Sequence, residues 1–298
     1  MLTDLSSSLS SSLSSSGSPD SPTPPTPPST VPSVTGLTAD GELMAIRLNW
    51  QPLDWSTVLD HYRIIGTPAG GAPQLLAKTI FPTFLHDRLA PIGEEWSYTV
   101  AAVDAAGSVS PTSETVTAAS TESITTGQPL AILGDFDWNT EEFRYAPSSY
   151  SMIESTYPSR HIAVGPDATA ADVPYLLPGP GDAWAGRDVY SLSWEFELDD
   201  ASGPAALALW IVDTTRLGGT LDVQLGSYAS SLTLPQGGTA GSRQGDASVP
   251  GSPLKPVAFE LALPEATLTS GSNTLELSLS EGGWVAWDAI GIFRDVSA

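Results

Sequence analysis

From residue 31 onward the chain alternates apolar and polar positions with period two, the signature of half-buried β-strands. AIRLNWQ (45–51), DHYRIIGT (60–67) and WSYTVAAVDA (96–105) carry this pattern with β-branched and aromatic enrichment. So do YSLSWEFELDD (190–200), GTLDVQLGS (219–227), VAFELALP (257–264) and NTLELSLSE (273–281). AALALWIVDT (205–214) and GWVAWDAIGIFR (283–294) are more continuously apolar. Gly, Pro, Asp and Asn punctuate the runs, and no stretch supports a long amphipathic helix. Asp200–Gly203 (DASG) reads as the turn of a hairpin joining the strands on either side of it. The expected fold class is all-β.

The runs fall into two groups. Residues 31–120 suit one β-sandwich of about ninety residues. A polar connector follows at 121–129. Residues 130–298 hold longer strands in greater number, as in a jelly-roll sandwich. Residues 1–30 are built from Ser, Pro, Thr and Leu with no Lys, Arg or aromatic residue. They cannot bury enough apolar surface to offset their ordering entropy, and are expected to be disordered. A linker joins two things, so its position suggests a missing N-terminal partner domain.

Composition narrows the functions. Lys+Arg is 11 against Asp+Glu 34, a formal charge of −23. That charge argues against nucleic acid as a partner and against an anionic membrane surface. The longest apolar run, Ala205–Val212, is far short of the roughly 20 residues that span a bilayer. Cysteine is absent, which removes disulfides, thiolate metal sites and cysteine nucleophiles. The N-terminus lacks the positive region of a signal peptide, so an extracellular location would require a signal not present in this chain.

The first sandwich resembles a fibronectin type III module. Trp50 sits at that family's strand-B tryptophan, Tyr62 at its strand-C tyrosine, and Trp96–Ala118 resembles its last two strands. Trp96 stands where the family has its tyrosine-corner residue and lacks the hydroxyl that would tie back to backbone. The second unit resembles the C-terminal, galactose-binding-like jelly-roll domain of rhamnogalacturonan lyases. LGDFDWNTEEF (133–143) is similar to that domain's opening, with Gly134, Asp137, Glu142 and Phe143 in matching places. IAVGPDATAADVPY (162–175) is similar to its VGxS…DWPY segment, with Val173 in place of the tryptophan. In that family a catalytic β-sandwich precedes these two modules. The resemblance implies a carbohydrate-binding, accessory role toward plant cell-wall polysaccharide, pectin included.

Chemistry within the chain is sparse. A polysaccharide lyase needs a base of near-neutral pKa and cations to hold an enolate. Here there are two lysines, Lys78 and Lys255, and three scattered histidines, His61, His86 and His161. The resemblance places the lyase's catalytic residues in the absent domain, so no catalytic residue is assigned. No nucleophile elbow and no phosphate-binding loop occurs. Sugar binding has a mechanism, since flat aromatics in loops stack on sugar C–H faces while polar groups take the hydroxyls. Trp138, Trp184 and Trp284 are the aromatic candidates, with Asp182 beside Trp184. Arg144, Arg160 and Arg187 are candidates to pair a uronate carboxylate. Asp135, Asp137 and Asn139 have the oxygen-donor spacing that opens a calcium loop, although the rest of the EF-hand pattern is missing. A structural Ca²⁺ is the one cofactor weighed.

The reading is therefore a non-catalytic pair of β-modules that binds cell-wall polysaccharide beside a catalytic domain. Two alternatives stand against it. One is a chain with polysaccharide lyase activity of its own. The other is an extracellular structural or adhesive protein that binds no sugar.

Overall fold

The computed structural model describes residues 31–54, 58–239, 245–249 and 252–294. The segment 1–30, expected to be disordered, lies outside the described residues. The rest is all-β.

Seven strands form the first sandwich: β1 (Thr38–Glu42), β2 (Ala45–Asn49), β3 (Leu59–Pro68), β4 (Gln74–Thr79), β5 (Thr83–His86), β6 (Glu95–Asp104) and β7 (Val116–Ala119). They pair antiparallel in two sheets, β1-β2-β5 and β4-β3-β6-β7, a fibronectin type III-like arrangement of three strands on four. The alternation works as expected: Ile46, Leu48, Tyr62, Ile64, Tyr98 and Val100 meet in one core. Trp50 packs edge-on against Tyr62 at 5.3 Å. Trp96 is tied back to backbone through a carboxylate. Trp96 Nε1 donates to Glu94 Oε2 at 2.8 Å, and Glu94 Oε1 accepts the Ala90 N–H at 2.6 Å.

The second unit is a jelly-roll sandwich. Its strands are β8 (Gln128–Gly134), β9 (His161–Val164), β10 (Leu176–Pro178), β11 (Ser191–Leu198), β12 (Ala205–Thr214), β13 (Gly219–Leu225), β14 (Tyr228–Leu234), β15 (Val257–Leu263), β16 (Gly271–Gly282) and β17 (Trp284–Arg294). A single short helix, α1 (Met152–Thr156), lies in the long β8–β9 connection. One sheet runs β14-β13-β16-β11-β9. The other runs β10-β17-β12-β15, with β8 also on β17. Inward residues of both sheets, among them Leu192, Trp194, Leu207, Leu221, Leu277 and Ile290, form the core.

The expected β11–β12 hairpin does not form. β11 pairs with β16 and β9, whereas β12 pairs with β15 and β17 in the opposite sheet. Asp200–Gly203 carries the chain across the sandwich. Its turn is fixed by Ser202 N–H donating to Asp200 Oδ1 and by Arg294 Nη1 donating to the Ser202 carbonyl. The cause lies in the strands. β11 alternates buried and exposed residues and fits a sheet with one wet face. All ten residues of β12 are buried, so it requires a central position with cover on both sides.

That cover comes from the first sandwich and from loops. Ala208 and Trp210 of β12, with Phe293 of β17, pack with Met44 from the β1–β2 turn. Leu43, Ile124, Phe136 and Trp138 close the cluster. Polar contacts flank it. Arg88 Nη1 donates to the Ala247 carbonyl at 2.7 Å, and Ser123 Oγ and Ile124 N–H both donate to Glu260 Oε1. The two sandwiches thus share a small apolar core.

Met44→Ala should remove most of that plug. Truncating a buried Met costs about 2–5 kcal/mol. Calorimetry should show the lost stability and a single unfolding transition separating into two; one unchanged transition would contradict a shared core.

Candidate functional site

The aromatic candidates meet different fates. Trp284 opens β17 only 6% exposed and belongs to the jelly-roll core, so it offers no face to a sugar. Trp138 stacks on Trp210, with centroids 4.3 Å apart and planes 17° from parallel, as part of the inter-sandwich cluster. Trp138 is half-buried there.

Trp184 is 84% exposed, far more than a tryptophan usually is. Its setting is built rather than loose. The short 3₁₀ turn Ala183–Ala185 begins at Asp182, whose Oδ1 accepts the Trp184 N–H at 2.8 Å. Asp182 is itself buried, and its Oδ2 accepts the Tyr150 hydroxyl. Burial, and then the Asp182 carboxylate, push the Tyr150 phenol well above its usual range, so it stays a donor. The Arg187 N–H closes the loop onto the Asp182 carbonyl at 2.9 Å. Upstream, Gly179 and Gly181 donate to the carbonyls of Gly283 and Gly282, both at 2.7 Å. A side chain at Gly181 would collide with the Gly282 backbone at 2.8 Å, so this close stitch requires glycine. The exposed Leu217 lies against the same segment.

The arginine candidates also separate. Arg160 is committed, with Nε to Asp188 Oδ2 at 2.9 Å, Nη2 to Glu154 Oε1 at 3.1 Å, and its guanidinium 5.4 Å from the Tyr190 ring centre. Arg144 lies 4.9 Å from the Tyr145 ring centre and interacts with the Tyr157 hydroxyl. Arg187 is exposed and makes no side-chain hydrogen bond or ion pair among the described residues. It follows the left-handed Gly186 and is itself left-handed, at φ 60°. A non-glycine residue in this conformation, which Trp138 and Arg160 share, costs of order 1 kcal/mol or more. The structure therefore brings together Asp182, Trp184 and Arg187, and leaves Trp138, Arg144, Arg160 and Trp284 out of that group.

The calcium candidates lie in the same loop as Trp138. Asp137 Oδ1 accepts the Asn139 N–H, and Asn139 Oδ1 is taken by the Glu141 N–H, each at 3.0 Å. Asp135 and Asp137 are exposed. Below them lies a residue that the sequence reading did not single out. Asp288 of β17 is fully buried; its Oδ1 accepts the Asn139 N–H at 2.8 Å, and the backbone and side chain of Asp137 lie close enough to its carboxyl group to interact with it. An acid in the middle of the apolar run WVAWDAIGIF was the available signal. Burial above all, then the nearby Asp137 and Glu142 charges, push the Asp288 carboxyl up to about 8. Burial likewise raises Asp137 and Glu142. Buried Asp213 shows the contrast: it accepts from Gly238 N–H, Thr239 N–H and the Thr239 hydroxyl. Among the described residues no three acidic or histidine side chains are spaced to hold a metal ion. A cation at Asp288 and Asp137 would need backbone oxygens as well, a donor set that suits Ca²⁺.

No protein-family model matches the chain, and no curated protein matches it. Among solved structures, an Fn3-like protein from Clostridium thermocellum aligns at 20% identity over 30% of this chain and 90% of its own, with a TM-score of 0.24. A two-domain fibronectin type III segment of chicken tenascin aligns at 12% identity over 88% of this chain and 99% of its own, with a TM-score of 0.25. A β-1,2-glucanase from Parabacteroides distasonis aligns at 27% identity over 30% of this chain, with a TM-score of 0.24. The matched part spans only 14% of that glucanase and 14% of the twitchin kinase region from C. elegans. Scores this low assign neither family nor function.

Asp288 makes stability depend on pH. Unfolded, its carboxyl ionises near 3.8; folded, near 8. Between those values the unfolded chain releases a proton that the folded chain keeps. Without divalent cations, stability should therefore fall as pH rises from about 4 to 8, by on the order of 5 kcal/mol at most. Asp288→Asn keeps the acceptor for Asn139 and removes the ionisation. Urea midpoints in chelator should show the variant gaining on the parent between pH 5 and 8; a constant difference would contradict the buried acid.

Proposed function

We propose that this chain is a non-catalytic carbohydrate-binding accessory protein that acts outside the cell beside a catalytic domain. In this reading the second unit is similar to the C-terminal domain of rhamnogalacturonan lyases, and its ligand is plant cell-wall polysaccharide of the pectic class. One observation carries the reading: a tryptophan 84% exposed on a hydrogen-bonded pedestal, three residues from an uncommitted arginine. An indole presented this fully offers a flat apolar face and a polar N–H edge to a ligand. Holding it in place before binding reduces the entropy lost on association. Trp184 supplies the flat apolar platform for a sugar ring. Arg187 supplies the two-pronged donor that a uronate carboxylate accepts. Asp182 serves the site by position, because both of its oxygens are engaged within the pedestal.

The acidic surface shapes this role. At −23 overall the chain repels polyuronate at long range, so attraction must be local to Arg187 and sensitive to salt. Structural Ca²⁺ at Asp288 and Asp137 belongs to the same proposal. It would offset the charge of two carboxyl groups whose ionisation burial disfavours, and it would tie the 135–142 loop to β17.

Calorimetric titration with rhamnogalacturonan oligosaccharides tests the platform. Trp184→Ala should weaken binding at least tenfold with an unchanged melting temperature. Arg187→Gln should cut affinity for uronate-containing oligosaccharides several-fold and leave neutral ones within twofold. No binding by the parent chain would favour the adhesive alternative, and release of unsaturated product would favour the lyase. For the cation, Ca²⁺ should raise the melting temperature of the parent, reversibly with chelator, and leave Asp288→Asn unmoved; equal shifts in both would remove the site.

A further inference from the structure

Strand β14 (Tyr228–Leu234) is the outermost strand of its sheet and, among the described residues, pairs with β13 alone. The two-residue turn Gly226–Ser227 joins the two strands, with Gly226 at φ 55°. Such a turn makes its flanking residues, Leu225 and Tyr228, a pair that exchanges both backbone hydrogen bonds. Counting in twos from there, Tyr228, Ser230, Leu232 and Leu234 bond to β13. Ala229, Ser231 and Thr233 turn their N–H and C=O groups the other way. All three are exposed, and their backbone bonds to no other segment among the described residues.

A free strand edge is a template for pairing with another chain, and folded proteins guard such edges with charge, proline, bulges or short length. The other outer strands are guarded in these ways. β1 carries Asp40 and Glu42, β4 carries Lys78 and pairs across a register shift, and β8 contains Pro129. β5, β7, β9 and β10 are four residues long or shorter. β15 carries Glu260, which accepts from Ser123 and Ile124. β14 has seven residues, YASSLTL, with no charge, no proline and no register shift against β13.

The strand is complementary to itself, and that selects the occupant. Laid antiparallel about Ser231, β14 sets Ser231 against Ser231 of a second copy, Ala229 against Thr233, Ser230 against Leu232 and Tyr228 against Leu234. No charge meets a charge. The three residues whose backbone points outward fall opposite one another, so each N–H meets a C=O. Tyr228, half-buried at the sheet margin, gains an apolar neighbour. We propose that β14 pairs with β14 of a second copy, giving a two-fold dimer with one continuous sheet across it. One strand pair is a small contact, so the dimer is transient. Each copy carries a charge of −23, so association strengthens as salt screens the repulsion. The dimer presents two Trp184 platforms and gains avidity for a polymer; that consequence alone rests on the sugar-binding reading.

Sedimentation equilibrium of the full chain tests the register, because Ala229 of one copy faces Thr233 of the other. The parent should show a reversible monomer–dimer equilibrium that tightens with salt. Ala229→Lys with Thr233→Lys sets lysine against lysine twice and should weaken the dimer about tenfold or more, although it lowers the net charge. Ala229→Glu with Thr233→Glu should weaken it as much. Ala229→Lys with Thr233→Glu sets opposite charges face to face and should tighten it about threefold at low salt. Both positions are exposed, so each variant should keep the circular dichroism of the parent. Trp184→Ala should leave the dimer unchanged. A parent that stays monomeric to millimolar concentration, a double-lysine variant that dimerises as well as the parent, or loss of the dimer in Trp184→Ala would each overturn the proposal.

Discussion

Strand β12 has no polar face to show to water, and much of the architecture follows from that. Its inward side, Leu207, Leu209 and Ile211, completes the jelly-roll core. Its outward side presents Ala208, Trp210 and Val212, which would leave a large apolar patch exposed on an isolated jelly roll. Met44 from the first sandwich, Phe136 and Trp138 from the loop after β8, and the segment around Ala247 and Leu254 cover it. The fibronectin-like module is thus part of the second sandwich's solvent shield as well as its neighbour in sequence.

That shield determines which groups remain free to act. Covering Trp210 consumes Trp138, and drawing the 135–142 loop down over β17 buries the Asp288 carboxyl beside Asp137. Trp184 lies at another place on the jelly roll, on a segment anchored by Gly282 and Gly283, and nothing among the described residues covers it. A half-buried indole and an exposed one thus both arise from loops. The difference is whether the sheet beneath has an apolar face to be covered.

The same distinction explains what the amino-acid sequence revealed. Alternation in AIRLNWQ, SLSWEFEL and TLELSLSE identified strands and their inward residues, because period two is a local property. The DASG turn was legible, but the sheet to which the chain returned was not. That choice rests on β12 needing neighbours on both edges and cover on both faces, which is a property of the whole sandwich. Trp138 and Trp184 read alike as loop aromatics, since the partner of Trp138 lies 72 residues away at Trp210. Asp288 was hidden in an apolar run for the same reason: its neighbours Asn139 and Asp137 arrive from the far end of the domain. Arg160 looked as available as Arg187 until Asp188 and Glu154 were placed beside it.

The central claim is that, among the aromatics weighed for ligand binding, Trp184 alone is presented to a sugar while Trp138 and Trp284 are structural. Indole N–H resonances in a ¹⁵N-correlated NMR spectrum, assigned by single Trp→Phe variants, test it directly as a rhamnogalacturonan oligosaccharide is added. The account predicts a saturable shift of the Trp184 signal, with those of Trp138, Trp210 and Trp284 fixed. A shift of Trp138 or Trp284 with Trp184 unmoved would contradict it.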